Sequence, residues 1–179
     1  EIVEQLSQQA ISLAGQQGIA PEIKDKYLKM AEAEIAELIV EKPGDARLHV
    51  FFASFYRSIG QAQLAQEQID IARTLSPNKQ TIILEQGISS YQMREYEAAR
   101  DYYKEAFELE TGFEQARILY ATSLLQLGDK NTFNEIITDE YFASFATNDF
   151  ALQAADQAKD NELLIRMFEF RVNEEPQSA

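Results

Sequence analysis

The segment Ala65-Gln-Glu-Gln-Ile-Asp-Ile-Ala-Arg-Thr-Leu-Ser-Pro77 is followed by a segment of similar pattern, Tyr96-Glu-Ala-Ala-Arg-Asp-Tyr-Tyr-Lys-Glu-Ala-Phe-Glu-Leu109. Small residues in and around these segments recur at a fixed interval of 34 residues. The matching residues are Ala65 and Ala99, Ala72 and Ala106, and the series Ala53, Gly87 and Ala121. A fixed period of this size indicates a fold assembled from repeated supersecondary units, each of which buries its apolar face against its neighbours.

Apolar residues within these repeats follow the period of an amphipathic helix, and Gly or Pro residues interrupt them. The pattern predicts helices over residues 1–14, 21–41, 46–59, 62–75, 80–93, 96–109 and 114–127, and then over 132–138, 150–158 and 161–173. Asp45 and Ser76 are expected to be caps or turn formers before the helices that follow them. Asn131 is expected to cap the next short helix, and either Asn148 or Asp149 caps the helix that starts near residue 150. We therefore expect an all-α fold of antiparallel helix pairs.

The two quoted segments resemble the second helix of tetratricopeptide repeats, a family with a period of 34 residues. Small residues in this family lie where helices cross closely, because a larger side chain would push two helix axes apart. The resemblance implies a right-handed superhelical solenoid of about four helix pairs in one domain, residues 1–179. Its parts would be a degenerate first repeat (1–45), two regular repeats (46–79 and 80–113), a diverged repeat (114–147) and a degenerate capping repeat (148–179).

The composition argues against several classes of function. The chain carries 30 acidic and 16 basic residues, a formal net charge of −14, which disfavours binding to nucleic acid or to anionic membrane surfaces. It has no cysteine, and its single histidine, His49, has no nucleophile arranged with it in the sequence. Clustered carboxylates such as Glu32, Glu34 and Glu37 are interpreted as a solvated helix face. We expect a protein that is not an enzyme, with no cofactor, no metal site and no membrane-inserting segment.

Tetratricopeptide arrays usually bind peptides or helices in a concave groove lined by the first helix of each pair. The resemblance places the groove positions of this chain at Arg47, Val50, Ser54, Arg57, Thr81, Leu84, Ile88 and Tyr91 in the two regular repeats, and at Gln115, Ile118, Thr122 and Leu125 in the next. The Lys and Asn set with which one variety grips a carboxylate terminus is missing. The apolar positions favour a helix laid in the groove, and the alternative is that the chain's own N-terminal helix fills it. The leading hypothesis is therefore a non-catalytic scaffold for a protein partner.

A second hypothesis is a structural subunit that assembles head to tail. A solenoid has two unlike ends, and stacking one end on the other propagates into a filament. The contact candidates are apolar residues near the two ends of the chain, namely Ile2, Leu6, Phe142, Phe145, Phe168 and Phe170. The aromatic group from Tyr141 to Phe150 is interpreted first as a cover for the end of the solenoid, and second as an exposed patch for another protein.

A third hypothesis concerns the parent protein. The loops Lys42-Pro-Gly-Asp-Ala-Arg47 and Ser76-Pro-Asn-Lys-Gln80 are similar to loops in the soluble repeat tail of bacterial O-antigen-ligase-like membrane proteins. The resemblance implies a tail outside the cytoplasm that organises partners or substrate, with the catalytic part in a membrane portion. The chain starts with Glu1 rather than Met, so we interpret it as a processed or excised piece. An extracytoplasmic or cell-surface location is favoured over a cytoplasmic one.

Overall fold

The computed structural model describes residues 2–174, without the side chains of positions 2, 4 and 174, and helices make up 82% of this described part. The helices of this described part are α1 (Ile2–Gly15), α2 (Pro21–Glu41), α3 (Ala46–Ser58), α4 (Ala62–Leu75), α5 (Gln80–Gln92), α6 (Tyr96–Leu109), α7 (Glu114–Leu127), α8 (Lys130–Ile136), α9 (Asp139–Thr147), α10 (Asp149–Gln157) and α11 (Asn161–Glu174). No strand occurs between residues 2 and 174, so the prediction of an all-α fold is confirmed. None of these helices is both long and apolar enough to cross a bilayer.

Predicted and observed helices agree closely in the periodic part of the chain. The ends of α4, α6 and α7 are the predicted ones, and α3 and α5 each end one residue earlier than predicted. After Gly128 the agreement weakens, because the regular spacing of small residues stops there. The short helix α8 starts two residues before its predicted start, and α9 is not predicted at all.

The caps of the later helices are partly as expected. Asp129, rather than Asn131, caps α8, and its carboxylate accepts a hydrogen bond from the backbone N of Thr132 at 3.1 Å. Asn148 is the cap of α10, where its Oδ1 accepts from the backbone N of Ala151 at 3.0 Å. Each of these side chains satisfies a backbone N–H group that the first turn of a helix leaves without a partner.

Two compact units make up the structure, and the first of them, Glu1–Met93, contains α1 to α5. The pair α3 and α4 makes its most extensive contact. Two of the 34-residue-period alanines, Ala53 and Ala65, are fully buried in this unit and allow the helices to approach closely. The core around them consists of Ala10, Ala31, Ile35, Phe52, Ala53, Phe55, Tyr56, Ala65 and Ile69.

One side-chain hydrogen bond joins α3 to α2. The Tyr56 hydroxyl donates to Glu32 Oε1 at 2.6 Å. Burial, followed by this bond to a carboxylate, raises the pKa of Tyr56 well above its ordinary value. Glu34 and Glu37 are exposed, as the interpretation of a solvated face expects, whereas Glu32 is half-buried and takes part in helix packing.

Asp45 caps α3 as predicted, and its carboxylate makes the stability of this unit depend on pH. Asp45 Oδ1 accepts from the backbone N of Arg47 at 3.0 Å, and the Arg47 guanidinium lies 2.8 Å from Oδ2. The side-chain bond to Arg47, followed by the backbone bond, lowers the pKa of Asp45 to about 2. Because this folded-state pKa lies below the unfolded value of about 3.9, the stabilisation is present above pH ~4 and is lost as the pH falls through ~2.

We expect an Asp45→Ser variant to be less stable than the parent at pH ~6, with most of this difference gone at pH ~2. The serine hydroxyl oxygen can still cap the helix, but it does not ionise. The variant therefore lacks the stabilisation that the ionised Asp45 carboxylate provides. Thermal melting followed by circular dichroism at pH ~6, ~4 and ~2 measures the difference. A difference in Tm of the same size at all three pH values would contradict the role assigned to the Asp45 carboxylate.

The second unit, Arg94–Ala179, is arranged around α7, which contacts α6, α8 and α10. Most of α7 between positions 116 and 125 is buried, and apart from Arg117 the buried residues there are apolar or small and lie on every side of the helix. Such a sequence suits a central helix and not a surface helix. The helix ends at Gly128, whose φ of +76° lies in the left-handed region that glycine adopts without strain.

Aromatic residues after α7 form much of the core of the second unit. Phe133 packs edge-on against Phe145 with ring centroids 5.3 Å apart, and Phe142 packs likewise against Phe170 at 5.9 Å. Phe133, Phe142 and Phe145 are all buried. These rings therefore hold α8, α9 and α11 together.

The residues considered for head-to-tail contact differ in how much of each side chain is exposed to solvent. Phe142 and Phe145 lie in the core and present almost none. Leu6 is half-buried against the core of the first unit, whereas Phe168 is exposed. The remaining candidate on α1, Ile2, has a side chain outside the described residues.

Candidate functional site

The predicted groove positions on α3 differ in how far they are open to solvent. Arg47 is exposed and bound to Asp45, the residue that caps its own helix. Val50 is half-buried because it packs against the core. Ser54 and Arg57 are also half-buried. Among the predicted groove positions on α3, Arg47 is therefore an exposed cation, whereas Val50, Ser54 and Arg57 are partly covered within the first unit.

An ion pair between α3 and α5 occupies part of this face. Arg57 is bound to Glu85, and its second terminal nitrogen donates to Ser54 Oγ at 3.2 Å. Both charged side chains are mostly shielded from solvent. Two predicted groove positions are therefore joined by an internal network, and Glu85, which the family pattern does not indicate, supplies its negative charge.

The apolar groove positions are more buried than a partner-binding surface requires. Leu84 is 2% exposed, Ile118 is 7% exposed and Leu125 is 4% exposed. Ile88 and Tyr91 on α5 are half-buried. These residues lie on α5 and α7, where most of each side chain is covered. Each of them therefore offers a partner less surface than the sequence suggests.

A surface cleft opens in the second unit at two of the predicted groove positions, Gln115 and Ile118. We call it the α7–α10 cleft. It has a volume of about 470 Å³ and is lined by Glu114, Gln115, Ile118, Leu119, Asn148 and Phe150. The cleft therefore combines residues of the predicted groove with residues from the start of α10 that the groove pattern does not include.

The lining of the α7–α10 cleft is apolar in part and polar in part. Ile118 is buried and Leu119 is half-buried, so they supply the covered apolar part, while Glu114 and Gln115 are exposed. Asn148 is held in place because its side chain caps α10. Apolar surface beside a few positioned polar groups is the usual arrangement of a small binding site.

Sequence reasoning missed a buried cation in the same unit. Arg117 on α7 is 7% exposed and donates to the backbone oxygens of Thr111, at 2.6 Å, and Ile136, at 3.3 Å. Its guanidinium carbon lies 3.3 Å from the ring centroid of Tyr141. Arg117 therefore joins the α6–α7 loop, the end of α8 and the start of α9. A charged residue between Ala116 and Ile118, in a helix that is otherwise mostly apolar, is the one sequence signal that could have identified it.

Residue types that bind metal ions are dispersed over the described part of the chain. No three His, Cys, Asp or Glu side chains between residues 2 and 174 lie close enough to hold a metal ion. His49 is buried, with its Nδ1 3.0 Å from Gln68 Oε1. The histidine thus has a packing role in the first unit.

Comparison with known proteins identifies the fold. No protein-family model and no curated protein matches the chain. Two crystal structures of MamA are similar to the chain. One matches at 12% identity, with a TM-score of 0.64 over 98% of both chains. The other matches at 14% identity, with a TM-score of 0.62 over 85% of this chain and 91% of its own. A structure of YrrB, described as a tetratricopeptide repeat protein with an unusual peptide-binding site, matches at 14% identity, with a TM-score of 0.61 over 86% of this chain and 80% of its own.

At these identities the likeness shows the fold. The chain has the helix-pair fold of tetratricopeptide repeat proteins, which confirms the resemblance drawn from the 34-residue period. The similarity to O-antigen-ligase-like tails stays a prediction, since no family model matches the chain.

Proposed function

We propose that the chain is a non-catalytic interaction scaffold that binds a peptide segment of another protein in the α7–α10 cleft. The observation that carries the proposal is the coincidence of this cleft with Gln115 and Ile118, two positions assigned to the groove from the repeat pattern alone. The peptide-binding site of YrrB, a protein of the same fold, is consistent with such a role. Fold by itself does not define function, so the proposal rests on the cleft.

The size and lining of the cleft fit a short apolar anchor. A volume of about 470 Å³ lies within the ~300–1,000 Å³ range of ligand clefts. Leu119 and Phe150 offer apolar contact to such an anchor, and the polar side chains of Gln115 and Asn148 can bond to peptide backbone. Glu114 favours a basic residue beside the anchor, in keeping with the acidic charge of the chain.

Substituting Leu119 by glutamate is expected to weaken peptide binding at least ~10-fold, because it places a charge in the apolar part of the cleft. The probe is a peptide selected by phage display on the immobilised chain, and its Kd is measured by isothermal titration calorimetry. Gln153→Glu is the matched control. It adds the same charge to an exposed position of α10 that does not line the cleft, and it should leave Kd unchanged.

Circular dichroism verifies that both variants keep the helix content of the parent. If every selected peptide binds Leu119→Glu and the parent equally, the cleft is not the peptide site and the proposal fails.

The wider groove and the head-to-tail filament have less support. Leu84 and Leu125 are too buried to contact a partner without rearrangement of the helices. Two of the residues considered for end-to-end contact, Phe142 and Phe145, belong to the core. These burials favour a local peptide site over both alternatives.

A further inference from the structure

The last helix of the described chain carries an exposed apolar stripe, which we call the α11 ridge. It consists of Ile165, Phe168 and Val172, which are 59%, 51% and 69% exposed. Their spacing of three, four and seven residues places them on one face of the helix. Three adjacent large apolar side chains at this exposure on one face differ from the scattered apolar residues that every protein surface contains.

The opposite face of α11 is firmly attached to the second unit. Leu163 and Met167 are buried there. Arg166 lies over the Phe142 ring, at 3.8 Å from its centroid, and Arg171 Nε donates to the backbone oxygen of Ala146 at 2.6 Å. The ridge is therefore a fixed feature of a docked helix and not the result of a helix that has failed to pack.

Acidic side chains flank the ridge, and the basic residues of the helix are already engaged. Glu162 precedes Ile165 by three residues and Glu169 follows it by four, so both adjoin the ridge, and both are exposed. Arg166 is paired with Asp139 at 2.8 Å, and Arg171 with Asp149 at 3.0 Å. The border of the ridge thus has negative charge, which a basic partner would complement.

We propose that the α11 ridge docks a basic amphipathic helix of a partner protein. The apolar stripe of such a helix would cover Ile165, Phe168 and Val172, while its Lys or Arg residues meet Glu162 and Glu169. A second copy of this chain fits less well, because two copies with a formal net charge of −14 each repel one another. The ridge shares no residue with the α7–α10 cleft, so this proposal is independent of the proposed function.

The test uses a model helix of about 18 residues, long enough to be helical when bound, with leucine on one face and lysine on the other. Fluorescence anisotropy of the labelled peptide measures its Kd for the chain. We expect the double variant Phe168→Ser/Val172→Ser to bind at least ~10-fold more weakly than the parent. Val40→Ser, at an exposed valine on α2, is the matched control and should leave Kd unchanged.

Two further peptides separate the ridge from general charge attraction. A scrambled peptide of the same composition has no apolar face, and a second peptide carries glutamate in place of lysine. Both should bind at least ~10-fold more weakly than the model helix. Equal binding of the scrambled peptide, equal binding of the acidic peptide, or equal binding to the double variant would each overturn the proposal. Analytical ultracentrifugation that finds a dimer of the parent but a monomer of the double variant would also overturn it, since a second copy would then cover the ridge.

Discussion

Replacing Arg117 by alanine is expected to lower the free energy of unfolding of the second unit by about 3 kcal/mol. The substitution removes two charge-assisted hydrogen bonds, to the backbone oxygens of half-buried Ile136 and exposed Thr111, and leaves both acceptors without that donor. It also removes the contact with the Tyr141 ring and leaves a cavity where the side chain was. The cost of burying the guanidinium offsets part of these gains, which is why the expected loss is smaller than their sum.

Urea denaturation followed by circular dichroism measures this loss, and amide hydrogen exchange in α7 and α8 assigns it to the second unit. Arg166→Ala is the matched control, because Arg166 also lies over an aromatic ring but is half exposed and paired with an exposed carboxylate. It should cost less than about 1 kcal/mol. Arg117→Lys should lie between the two, since an ammonium group cannot reproduce the fork of the guanidinium. If Arg117→Ala unfolds at the same urea concentration as the parent, Arg117 does not hold these elements together.

The helices of the periodic region could be predicted because several local signals agree there. Alanines at the 34-residue interval, prolines such as Pro77 and a capping aspartate at Asp45 all indicate the same boundaries. Ala53, Ala65, Ala72, Ala99, Ala106 and Ala121 are all buried, as close helix packing requires. The 34-residue interval is visible in the sequence because close packing of these helices requires a small residue at each of these positions.

The parts that could not be predicted depend on neighbours distant in sequence. α9 contains no small residue that continues the series at the 34-residue interval. The spacing of its aromatic residues fits a helix but also fits an irregular segment that packs over the core. The burial of Ile118 and Leu125 follows from the contacts of α7 with α6, α8 and α10, which the helix period does not reveal. Likewise, the α7–α10 cleft needs Asn148 and Phe150 from a later helix, so repeat positions could indicate only one of its walls.

The same packing argument predicts that Ala65→Leu will destabilise the first unit by about 2–3 kcal/mol. Ala65 is buried in the core, between helices that approach closely because both contribute small residues there. A leucine adds three carbon atoms for which the interior has no space, so α3 and α4 must separate or adopt unfavourable rotamers. Leucine is nearly as good a helix former as alanine, so the loss does not arise from helix propensity.

Urea denaturation with hydrogen exchange in α3 and α4 measures the effect, since these amides report on the first unit. Ala33→Leu is the matched control. It makes the same substitution at an exposed position of α2 and should change stability by less than about 0.5 kcal/mol. Ala99→Leu, at the equivalent position one period later, should cost about as much as Ala65→Leu, but with the loss of protection in α6 and α7. A parent-like stability of both buried variants would show that the 34-residue spacing of small residues is not what allows these helices to pack.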